Sequence, residues 1–105
     1  MSASIPATSL QLRSLIKSSG ELEISLASIT TPEPGPEEVL VRIEASPMNP
    51  SDLGLLFGAA DLSTAKASGT PERPVITATV PAKLMKGMGG RVDQSMPVGN
   101  EAAGV

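Results

Sequence analysis

The chain has 105 residues, 40% of them hydrophobic, a formal net charge of −3, and neither histidine nor cysteine. That length holds one domain with a modest core, and one Phe with no Tyr or Trp leaves the core to aliphatic side chains and removes base stacking as a binding mode. Lacking cysteine excludes disulfides, thiolate metal sites and thiol nucleophiles; lacking histidine removes the commonest zinc ligand and general base; lacking a Lys/Arg cluster argues against nucleic-acid or anionic-membrane partners.

The N-terminus, MSASIPATSL, has no basic region and no sustained apolar run. No later stretch approaches the ~18 apolar residues of a membrane span, so a cytoplasmic chain is expected. Residues 1–9 read as a flexible arm. Leu10, Leu12 and Ile16 against Gln11, Arg13 and Lys17 predict a strand, Ser18-Ser19-Gly20 a turn, and Leu22, Ile24 and Leu26 the returning strand of a hairpin. Arg13 and Lys17 are able to pair with Glu21 and Glu23 across it, but as exposed charges their expected role is to keep the surface soluble. TTPEPGPE, from Thr30 to Glu37, is a stiff connector, with a proline-rich ligand motif as the lesser reading.

The stretch from Glu38 to Gly58 organises the rest. Val39, Val41, Ile43 and Ala45 alternate with Leu40, Arg42 and Glu44, predicting a strand with one apolar face. Pro47 and Pro50 end it, and Asn49-Pro50 with Asp52 in the first turn starts a helix carrying Leu53, Leu55, Leu56 and Phe57. Polar groups thereby gather at a strand-to-helix corner. Gly58 to Pro71 is expected as a loop, with at most one helical turn over Asp61 to Ala67. Pro74 to Pro81 reads as a short edge strand, and Ala82 to Gly90 as a helical turn whose methionines fill gaps. Val92 to Met96 is expected to be extended, and Ala102 to Val105 to open a further strand, as in a truncated product. Strands outnumber helices, which favours a small β-barrel or sandwich.

Three segments carry a family likeness: TPEPGPEEVLVR from Thr31 to Arg42, Asn49-Pro50-Ser51-Asp52, and PVGNEAAGV from Pro97 to Val105. In order and spacing they resemble the N-terminal, GroES-like half of the medium-chain dehydrogenase/reductases, most closely the zinc-independent quinone oxidoreductase branch. The likeness runs from Leu10 to Val105 apart from an insertion-like region between Gly58 and Pro97. It implies a mainly β, GroES-like, partly open barrel with short helices, truncated before a Rossmann cofactor domain. It also implies hydride transfer from NADPH to a quinone or activated alkene without zinc, by an enzyme that is a homodimer when complete.

Zinc-dependent relatives carry cysteine at the place of Asn49 and histidine at that of Asn100. Amides are poor zinc ligands, so no zinc is expected. The resemblance sets Asn49 beside the nicotinamide and the substrate carbonyl, Ser51 at the hydroxyl position near the reacting centre, and Asp52 as a brace of the corner, which makes Asn49 and Ser51 the catalytic candidates and Asn49 and Asp52 the cofactor-binding ones. Asn100 and Glu101 then support the former metal site. Taken alone, Asn49 and Asp52 are also ordinary helix-start residues and Asn100 an ordinary turn residue. No G-x-G-x-x-G fingerprint occurs in these residues, so NADPH is expected to be held mainly by a domain outside them. Two further readings stand beside the enzyme: a free-standing binding or assembly module, and a mobile domain low in aromatic residues.

Overall fold

The computed structural model describes residues 4–105 and is mainly β. Strands β1 (Thr8–Ile16) and β2 (Glu21–Thr30) form the expected antiparallel hairpin, with Leu12 opposite Leu26 and Ile16 opposite Leu22. Alternation turns Leu12, Ser14 and Ile16 to the same face as Leu22 and Ile24. Lys17 lies 3.1 Å from both Glu21 and Glu23, and its hydrogen bond to Glu21, followed by the one to Glu23, raises its pKa. These groups are exposed, so the pairs add little stability. Arg13 makes no ion pair with either glutamate: its Nε donates to Ser95 Oγ at 2.7 Å and its Nη2 to the Ser95 carbonyl at 2.6 Å. The arm expected over residues 1–9 lies partly outside the described residues, and Thr8 and Ser9 already belong to β1, where Ser9 Oγ meets Thr31 Oγ1 at 2.7 Å.

The main sheet has the order β4-β5-β2-β1-β6, with β4 (Asp61–Gly69), β5 (Pro74–Thr79) and β6 (Met96–Pro97) added to the hairpin. The loop or helical turn expected over Asp61 to Ala67 is instead strand β4. Its Ala and Ser residues hide the alternation, while the β-branched run of β5 needs a second partner for its backbone. A tight turn makes the pairing: Thr70 and Arg73 exchange backbone hydrogen bonds at 3.2 and 3.1 Å. Gly69 enters that turn at φ +81°, where a Cβ would collide with the Arg73 carbonyl oxygen. Gly69→Ala is therefore expected to cost about 1–3 kcal/mol, read as a lower urea midpoint; an unchanged midpoint would remove the turn's importance. Edge strand β4 is guarded by Lys66 and by a register shift between Asp61 and Lys66. At its start the Asp61 carboxylate accepts from Ser63 Oγ at 2.6 Å and from Ser63 N–H at 3.0 Å, which lowers its pKa.

A separate two-stranded ribbon pairs β3 (Ile43–Ala45) with β7 (Ala103–Gly104). Arg42 and Val105 extend it by exchanging backbone hydrogen bonds at 2.6 and 3.1 Å. This shortens the strand expected from Val39: pairing begins only at Arg42, and Val39, on its apolar face, is 83% exposed. Alternation alone does not bury a strand that has no covering layer. The two sheets do not close into a barrel. The molecule measures 54 × 30 × 22 Å, and its radius of gyration of 16.0 Å exceeds the roughly 13 Å of a compact domain of this length.

The core sits at one end of the main sheet and consists of Ile16, Leu22, Ile24, Leu56, Ala78 and Val80. Helix α1 (Pro50–Phe57) covers it with Leu56 and Phe57, while Leu53, expected to pack, is 41% exposed. The helical turn expected from Ala82 is a 3-10 helix, Ala82–Met88, whose Met85 and Met88 pack on the core as gap-fillers. The extended piece expected over Val92 to Met96 shrinks to β6 and an isolated bridge from Val92 to Ile16, because Asp93 turns the chain at φ +59°. Pro97 is tolerated in β6 because that strand is an edge. No helix among the described residues is long and apolar enough to cross a membrane.

Candidate functional site: an amide and carboxylate corner

The site lies where β3 hands the chain to α1 and where the segment before β7 returns. Asn49 precedes the helix in an extended conformation, φ −87° and ψ 155°, with Pro50 at its first position. Proline needs no hydrogen-bond partner there and its fixed φ suits the first turn. Asp52, 8% exposed, accepts the Asn49 backbone N–H on Oδ2 at 2.8 Å, and the Asp52 N–H reaches the Asn49 carbonyl at 2.9 Å. The negative side chain thus faces the positive end of the helix.

The Asn49 side chain looks across the chain. Its Nδ2 donates to Glu101 Oε2 at 3.0 Å, joining residues 52 apart in sequence. Glu101 also lines a cleft of about 400 Å³ together with Ala45, Ser46, Pro47, Ala102 and Ala103. The structure therefore brings Asn49, Asp52 and Glu101 together. Ser51 and Asn100 are exposed and take part in no side-chain hydrogen bond among the described residues. The described residues hold no cluster of three or more His, Cys, Asp or Glu side chains placed to bind a metal.

A second polar feature was not legible in the sequence. Ser14, fully buried in β1, donates to the Leu56 carbonyl at 2.8 Å and accepts from Arg91 Nη2 at 3.2 Å. Burial lowers the Arg91 pKa, and its Nε lies buried without a partner. The cation sits near the carbonyl end of α1, where positive charge is favoured, and Ser14 ties helix to sheet. The only sequence signal is a serine on the apolar side of the β1 alternation, which reads as a core defect rather than a bridge. Ser14→Ala strips partners from two buried groups and is expected to cost about 1–3 kcal/mol; a shift in urea midpoint measures it, and stability equal to the parent would show the bridge to be idle.

Compared with protein-family models and with curated proteins, the chain finds no match in either.

Proposed function

We propose that this chain is the N-terminal, GroES-like part of an NADPH-dependent oxidoreductase that transfers hydride to a quinone or activated alkene without zinc. The observation that carries the reading is the hydrogen bond between Asn49 and Glu101. Two motifs that resemble the family separately in sequence meet at one corner through this bond. The open sheets alone would fit many small β proteins.

The donor set fits a nicotinamide better than a metal. A carboxamide braced by Asp52 and Glu101 offers directed hydrogen bonds, and no thiolate or imidazole exists anywhere in the chain to grip zinc. NADPH supplies the hydride; the protein supplies position and polar contacts. In this account Asn49 orients the carboxamide or carbonyl that it meets, Asp52 holds the Asn49 backbone at the helix start, and Glu101 holds its side chain. Ser51 takes the hydroxyl position by resemblance alone, and Asn100 stays a turn residue beside Glu101.

The coding sequence after Val105 tests the reading. Continuation into a strand and a glycine-rich turn supports it; a stop codon favours the free-standing binding or assembly module. Residues 1–105 by themselves are expected to show no NADPH–quinone turnover, and stoichiometric NADPH binding by them would contradict that expectation.

A further inference from the structure

We infer that Glu101 is the positioning residue of Asn49 and decides which end of its carboxamide is held and which is left free to meet a ligand. The two side chains are joined by the 3.0 Å bond from Nδ2 to Oε2. An ionised carboxylate only accepts hydrogen bonds, whereas a carboxamide has one donating end and one accepting end. Turned over, the amide would set its oxygen against the Glu101 oxygen, so one orientation alone is compatible with the charge. The backbone of Asn49 is fixed separately: its N–H is taken by Asp52 Oδ2 at 2.8 Å and its carbonyl accepts the Asp52 N–H at 2.9 Å. Asp52 is thus committed to the main chain, and Glu101 is left to orient the side chain.

The inference rests on the oxidoreductase reading for its purpose: an amide of fixed polarity holds a nicotinamide or a carbonyl in one attitude, whereas a freely turning one does not. Its geometry is testable without a cofactor. Asn49 and Asn100 are the only asparagines in the chain, so the side-chain amide signals of 15N-labelled protein give the site and an internal reference in one NMR spectrum. Asn49 is expected to be displaced from the free-amide position, with a nuclear Overhauser contact to the Glu101 side chain. Glu101→Ala is expected to return it to the position of a free amide, and Glu101→Gln, which keeps an acceptor oxygen, to retain part of the displacement. Backbone signals of the β1–β2 hairpin report that the fold persists in both variants. An Asn49 signal unmoved by Glu101→Ala, or a Gln variant indistinguishable from the Ala variant, would overturn the assignment. A failed turnover assay would remove the oxidoreductase reading and leave this result standing.

Discussion

Ile16→Ala is expected to lower the stability of the domain by about 2–5 kcal/mol. Ile16 is fully buried and sits between the hairpin register partner Leu22, the cover of α1 and the bridge to Val92. Among the described residues the core has six buried apolar residues at one end of the sheet, so few neighbours are free to relax into the space. Small domains have only about 5–15 kcal/mol in total. The variant should therefore show a urea midpoint lowered by about 1 M or more, and a midpoint equal to the parent's would mean that the core lies elsewhere. The same truncation at Ile43, which is 57% exposed, should be nearly silent.

Asn49→Ala is expected to lower the hydride-transfer rate of the protein encoded by the complete reading frame by about 10²-fold, the cost of misplacing a reacting group by roughly 1 Å. Folding should survive. The Asp52 carboxylate still accepts the backbone N–H of residue 49 at the helix start, so the loss of a helix-capping residue costs at most about 1–2 kcal/mol. Steady-state kinetics with NADPH and a quinone separate the effects: a fall in kcat in a variant that stays folded at the assay temperature supports the positioning role, and an unchanged kcat returns Asn49 to the capping of α1.

The local elements that alternation and punctuation specify strongly were readable in the sequence. The β1–β2 hairpin followed from two alternating runs around Ser18-Ser19-Gly20, and α1 from Asn49-Pro50 with Asp52 behind it. Partnership was harder to read. Val39 to Ala45 alternates as well as β1 does, yet it pairs only from Arg42 onward, because what covers a strand is decided by distant segments. Strand β4 was hidden for the opposite reason: Ala, Ser and Gly have little strand preference, and pairing with β5 overrides it. At the site, helix-start chemistry located Asn49 and Asp52, while the Asn49 to Glu101 bond needed three dimensions to appear. The Ser14 and Arg91 bridge left only a serine out of place in the β1 alternation, since the pairing of two polar residues 77 apart has no periodic trace.

The central claim is hydride transfer by a nicotinamide at an amide corner without a metal. Its most direct test is NADPH oxidation by a quinone, followed at the nicotinamide absorbance, with the product of the complete reading frame dialysed against a zinc chelator. The account predicts turnover that survives chelation and is unchanged by added zinc. Turnover abolished by the chelator and restored by zinc would contradict it, as would a folded, complete protein that never oxidises NADPH.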